Sequence, residues 1–213
     1  MPSDKTDWEN LYSNDFMPWD TRRPDSHLIA VVEETPIPPC RALEVGCGTG
    51  TNAIWLAEKG FQVTAVDSSP TAIKLARLKP GAGLCTFRCA DFFTCTLPAE
   101  KFGFVFDLGC LHSFDEAVDR DVFAQRVAES LTEGGVWFSI LGSADGPEMG
   151  PPRRTAAEIV TAAEPYFEII SLSADVLDDP PEEEKAALGI APDVRQHAWT
   201  LLMRKRRGKD SQG

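Results

Sequence analysis

A glycine-rich turn between two apolar runs constrains this chain more than any other feature. Leu43-Glu44-Val45-Gly46-Cys47-Gly48-Thr49-Gly50 reads as a strand running into a turn, and Phe61–Val66 is a second strand followed by Asp67, 21 residues after Gly46. Glycines admit backbone angles closed to other residues and let main chain approach a ligand closely. An acid at the end of the second strand can accept both hydroxyls of a ribose. Both features belong to open parallel sheets, whose ligands sit beyond the carboxyl ends of the strands where strand order reverses.

The remaining pattern repeats this alternation. Strands are expected at Ala42–Val45, Leu84–Cys89, Phe102–Leu108, Val136–Leu141, Tyr166–Leu172 and His197–Arg204. Between them, Ala53, Ile54, Leu56 and Ala57 mark a helix closed by Gly60, and Ser69-Pro70 is an N-cap with a first-turn proline. Glu116–Leu131 reads as a helix turned into the next strand by Gly134-Gly135, and Thr155 with Glu158 forms a capping box. Asp175–Gly189, acidic and proline-containing, reads as a surface excursion. The predicted fold is α/β, a doubly wound, seven-stranded, mostly parallel Rossmann-like sheet. Residues 1–39 form an N-terminal helical cover, with Trp8, Leu11 and Tyr12 on one helical face and a second helix starting near Pro24. Residues 40–204 form the main domain, and 205–213 a disordered basic tail.

Charge narrows the function. Of the formal −12, residues 204–213 contribute +4, leaving −16 on residues 1–203. Nucleic-acid binders need cationic surface to displace counterions, so the expected partner is a small molecule and not DNA or RNA. The polar N-terminus and short apolar stretches predict a cytoplasmic protein with no membrane span. Cys40, Cys47, Cys85, Cys89, Cys95 and Cys110 contain no Cys-x-x-Cys pair, so free thiols and no metal site are expected.

The glycine spacing is G-x-G-x-G, with Thr51 where a dinucleotide fingerprint would place its third glycine. Hydrophobic-Glu-hydrophobic-Gly-x-Gly-x-Gly resembles motif I of the class I S-adenosylmethionine (SAM) methyltransferases. The resemblance continues through Asp67, Cys89-Ala90-Asp91-Phe92, Phe104–Gly109 and Thr132–Gly135. It implies SAM as cofactor, held by Glu44, Gly46, Cys47, Gly48 and Gly50, by Asp67 and Ser68 at the ribose, by Asp91 and Phe92 at the adenine, and by Asp107 and Leu108 beside the methionine part. Trp8–Tyr12, Pro18-Trp19-Asp20 and the Gly146–Arg154 loop resemble the thiopurine S-methyltransferase and tellurite-resistance group. That group implies a cover over the cofactor, with Trp19 near the sulfonium; the alternative for Trp8, Tyr12 and Trp19 is simple packing.

The expected chemistry is in-line transfer of the methyl to a soft nucleophile. His112, with Asp107, is the candidate for handling a substrate proton, or else His112 is a satisfied polar residue at a helix start. Tyr12 and Arg153 are candidate substrate contacts, Arg153 suiting an anion. Cys110 reads as a buried small hydrophobe. Three functions stay open: methylation of a thiol or other soft chalcogen, O- or N-methylation of a small metabolite, and a SAM-binding module without turnover.

Overall fold

A computed structural model describes residues 6–35, 37–146, 153–180, 182–187, 191 and 193–207. Seven strands form one sheet: β1 (Arg41–Val45), β2 (Gln62–Asp67), β3 (Thr86–Cys89), β4 (Phe102–Leu108), β5 (Leu131–Gly142), β6 (Phe167–Val176) and β7 (His197–Lys205). Their order is β3-β2-β1-β4-β5-β7-β6. The first five strands run parallel, and β7 pairs antiparallel with both β5 and β6. Strand order therefore reverses between β1 and β4, which opens a crevice at their carboxyl ends.

Strand alternation divides the core into two layers. Leu43, Val45, Val105, Trp137 and Leu141 face one side, under α6 (Ala117–Ser130) and α7 (Ala156–Ala163). Ala42, Phe104, Phe106, Phe138 and Ile140 face the other, against α3 (Thr51–Glu58), α4 (Pro70–Leu78) and α2 (Ser26–Glu34). Local signals account for the helix ends. Ser69 caps α4 through Ala72 N–H, and Thr155 with Glu158 forms both arms of a capping box. Gly60, at φ +94°, takes the left-handed position just beyond α3.

Several boundaries differ from the sequence pattern. The helix expected near Pro24 begins at Ser26, capped by Asp25, which accepts from His27 and Leu28 N–H. A single 3-10 turn, Ala82–Leu84, precedes β3. β5 begins at Leu131, which pairs with Phe102, so Gly134-Gly135 is an irregularity inside the strand. β6 runs on to Val176 because β7 offers a partner that far. The segment after it is not a free excursion: it carries helix α8 (Glu182–Ala187), and Asp178 accepts from Ser26 N–H and Oγ. The tail expected from residue 205 is held at its start. Lys205 closes β7 and donates to Leu131 O, and Arg206 N–H donates to Tyr166 O. Residues 208–213 lie outside the described residues. Among the described residues no helix is long and apolar enough to cross a membrane.

Candidate active site

The glycine turn lines the β1 side of the crevice. Gly46, Gly48 and Gly50 all have positive φ (+66°, +50° and +76°), so this turn needs its glycines. A Cβ on Gly50 would lie 2.7 Å from the Phe87 ring and 3.0 Å from Ala76 Cβ, which shows how tightly the turn packs on β3 and α4. Asp67 locks this turn to the next. Its Oδ2 accepts Gly48 N–H at 2.8 Å and its Oδ1 accepts Ser69 N–H at 2.9 Å. Burial raises its carboxyl above the usual range, against these backbone bonds. Ser68 is exposed beside it and accepts the Cys89 thiol on its carbonyl.

Glu44 lies buried at the end of β1, on the α3 face. Burial first and Asp67 second push its carboxyl up to about 8, despite hydrogen bonds with Asn52 and Ala53 N–H. Its Oε2 is buried without a hydrogen-bond partner. Cys47 is buried too, its thiol directed to Gly48 O.

The cover docks onto this turn. α1 (Trp8–Ser13) places Glu9 against the start of α4, accepting from Ser69 Oγ, Thr71 N–H and Thr71 Oγ1. The Trp19 ring stands edge-on to Trp8 and Tyr12, with centroids 5.2 and 5.6 Å apart, and its Nε1 donates to Tyr12 Oη. Tyr12 Oη reaches within 2.7 Å of where a Gly48 Cβ would sit. Tyr12 therefore lies on the cofactor-side turn, and burial pushes its phenol well above its usual range. Thr49 Oγ1 donates to Asp20 Oδ2 at 2.6 Å, and Lys79 donates to Thr49 and Thr51 hydroxyls.

Beyond β3, Asp91 is exposed and accepts Phe93 N–H in a local turn. The Phe92 side chain is buried in the core against Phe123 and beneath Arg126, whose Nε donates to Phe92 O.

On the β4 side the carboxylate of Asp107 is fully buried. Trp137 Nε1 donates to its Oδ2 at 2.8 Å, and Cys110 and Leu111 N–H donate to Oδ1. Burial pushes the group up to about 6. Asp107, expected to share proton handling with His112, thus accepts from the first two N–H groups of the short helix α5 (Cys110–Ser113). Leu108 packs into the second core layer. Cys110, half-buried, directs its thiol to Val45 O and sits against Gly46. His112 is buried, and its Nδ1 accepts Gly142 N–H at 2.6 Å. Burial, then Arg154 and Arg153, push its pKa down to about 4, so the ring is neutral at ordinary pH. Arg154 and Arg120 both donate to Phe114 O, and Arg154 also pairs with Asp115. This clamp fixes the end of α5. Arg153 stands half-buried beside Gly142. Residues 147–152 of the expected Gly-Pro-Pro loop lie outside the described residues.

The sequence pattern assigned no role of their own to Glu9, Asp20, Asn52, Arg120 or Trp137. Their roles depend on partners many positions away, as when Asn52 accepts from Asp25 N–H. Asp25, His27 and Asp178 bring their ligand atoms within 4.8 Å of one another, but Asp25 and Asp178 already accept from His27, Leu28 and Ser26.

Comparison with known proteins agrees with this geometry. The family profile for thiopurine S-methyltransferase matches residues 3–205. The chain is 32% identical over 188 residues, 85% of this chain and 82% of the relative, to a probable thiol methyltransferase 2 of Arabidopsis thaliana. It is 28% identical over 153 residues, 70% of this chain and 67% of the relative, to thiocyanate methyltransferase 1 of Brassica oleracea. Among solved structures, one described as converting a disulfide bond into a thioacetal group during echinomycin biosynthesis superposes with a TM-score of 0.76. It is 26% identical, and the alignment covers 91% of this chain and 86% of that one.

Proposed function

The chain belongs to the thiopurine S-methyltransferase family and is a SAM-dependent methyltransferase, and from that premise we propose that its acceptor is a small thiol or another soft chalcogen compound. SAM supplies a methyl group already activated on a sulfonium.

The residues present fit that cofactor. The turn at Gly46–Gly50 offers close main chain, Asp67 ends β2 beside that turn, and the orphaned Oε2 of Glu44 can take a donor such as an ammonium. On this reading Gly46, Cys47, Gly48 and Gly50 hold the cofactor through their backbone. Asp67 and Ser68 serve the ribose, Asp91 and the main chain of Phe92 serve the adenine, and Leu108 borders the methionine part. Trp19, packed on Trp8 and Tyr12 of the docked cover, serves on this reading to exclude water from the cofactor. Asp107 supports this edge from below.

One observation carries the acceptor assignment. At the carboxyl end of β4 the Asp107 carboxylate is fully buried and both its oxygens already accept hydrogen bonds, so it is not free to take a substrate proton. An alcohol or amine would have to lose its proton there, whereas a thiol of pKa about 8.5 is partly ionised near neutral pH. Positioning and water exclusion then suffice, and held geometry supplies roughly 7–11 kcal/mol of barrier reduction. Six free thiols fit a reducing cytoplasmic setting.

The test is S-adenosylhomocysteine release across hydrosulfide, small thiols, thiopurines, phenols and amines, with SAM binding followed in parallel. Turnover confined to sulfur compounds is expected. Turnover of phenols or amines alone would replace this reading with O- or N-methylation, and binding without turnover would leave a non-catalytic module.

A further inference from the structure

We propose that His112 receives the acceptor as a hydrogen-bond donor, through Nε2–H, and so selects acceptors that arrive already anionic. The inference rests on the sulfur-acceptor reading and names the ionisation state that the site takes.

The argument begins with a main-chain group. Gly142 N–H can only donate, and it lies 2.6 Å from Nδ1 of His112. Nδ1 must therefore carry the lone pair, and in a neutral ring the proton sits on Nε2. The opposite tautomer would set two N–H groups against each other inside the protein. For the same reason His112 is poorly built to be a base. Its free nitrogen already holds a proton, and charging the ring would protonate Nδ1 against Gly142. Arg153 and Arg154, from the loop before α7, oppose a positive ring, and Asp115 is paired with Arg154. Asp107, below the same edge, is engaged by Trp137, Cys110 and Leu111.

Nε2 is the atom of the ring left for a ligand. His112 is buried, yet among the described residues no hydrogen bond is made to Nε2, and Nε2 is not one of the partnerless side-chain atoms sealed from solvent. Glycines flank the ring: a Cβ at Gly109 would meet Nε2 at 3.6 Å and one at Gly142 would meet Nδ1 at 3.4 Å, both ordinary contacts. The donor thus stands at the carboxyl end of β4, beside Cys110, whose thiol touches the Gly46 turn.

The transfer balances without the histidine changing state. A lone pair of the anionic sulfur forms the new S–CH3 bond, while the old methyl–sulfur pair stays with the departing sulfur. A thioether and S-adenosylhomocysteine result, the −1 and +1 charges cancel, and no proton moves. Because the sulfur loses its charge along the way, a donor to it binds the starting anion more strongly than the transition state. Its loss should then raise KM without lowering kcat.

His112→Phe and His112→Gln separate donor from base. The Gln amide can donate but cannot act as a base. Losing a hydrogen bond to a charged group corresponds to about 10- to 100-fold, so we expect His112→Phe to raise KM for an anionic thiol by that factor with kcat within a few-fold, and Gln to restore most of it. A collapse of kcat in both variants would overturn the proposal. A second measurement needs no turnover and does not depend on the Phe variant folding. Nitrogen NMR of the wild-type ring should show one neutral tautomer, protonated at Nε2, from about pH 6 to about pH 9. Thiocyanate added to the S-adenosylhomocysteine complex should shift the Nε2–H resonance. An Nδ1–H tautomer, a charged ring, or no response to thiocyanate would each overturn the assignment. Failure of the sulfur-acceptor reading would instead appear as turnover of neutral alcohols or amines with the tautomer intact.

Discussion

The two walls of the crevice are built in different ways. On the β1 side, the Gly46–Gly50 turn, Asp67 and Ser69 lie within about two dozen residues, and most of the bonding is between neighbouring turns. On the β4 side, His112 depends on Gly142, Phe114 on Arg154, and Asp107 on Trp137, pairs separated by 30 or 40 positions. On the proposed reading the first wall presents backbone groups to the cofactor and the second presents side chains to the acceptor, with the Cys110 thiol, on Val45 O, as a contact between them.

That division can be broken or sharpened by substitution. The largest effect is expected at Gly50→Ala. It would place a Cβ at φ +76° against Phe87 and Ala76, costing about 2–5 kcal/mol as backbone strain and overpacking combine. Urea unfolding would measure it, and a loss below about 1 kcal/mol would mean the turn is looser than its geometry implies. Arg154→Met should cost about 1–3 kcal/mol by freeing the end of α5. It should also raise acceptor KM while leaving SAM affinity nearly unchanged, and an equal loss of SAM affinity would join the two walls. Asp67→Ala is the reciprocal case, expected to weaken SAM binding by about 1–3 kcal/mol in calorimetry with little change in acceptor KM.

The last effect is read from pH and concerns Glu44. Its folded pKa, about 8, lies above the ordinary 4.5, so the folded state holds a proton that the unfolded state has lost. Stability from this group is complete below about 4.5 and is lost as pH rises through about 8. Asp107 contributes with the same sign up to about 6, and His27, raised to about 9 chiefly by its bond to Asp25, contributes at the alkaline end. The difference between wild type and Glu44→Gln therefore isolates one group. The cofactor-free wild type should lose stability relative to Glu44→Gln between about pH 5 and about pH 8, and parallel curves would show that Glu44 does not titrate there.

Legibility in the sequence follows the same division. The G-x-G-x-G turn, Asp67, the Ser69 cap and the Thr155 capping box were readable because each is a backbone requirement met by residues a few positions apart. Position also drew attention to His112, Asp107 and Tyr12, but their partners were not readable. His112 takes its tautomer from Gly142, Asp107 turns inward to Trp137, and Tyr12 rests on Gly48.

The sequence by itself determined the alternating fold and the edge of the sheet that carries the site, because local backbone conformation and hydrophobic period specify them, while the class of cofactor followed from the family resemblance of its motifs. Only the tertiary structure decided which carboxylates are buried, which nitrogen of His112 holds the proton, and how the cover meets the turn. Those properties belong to pairs of groups brought together by folding, and their energies depend on a burial and a distance that no single segment contains.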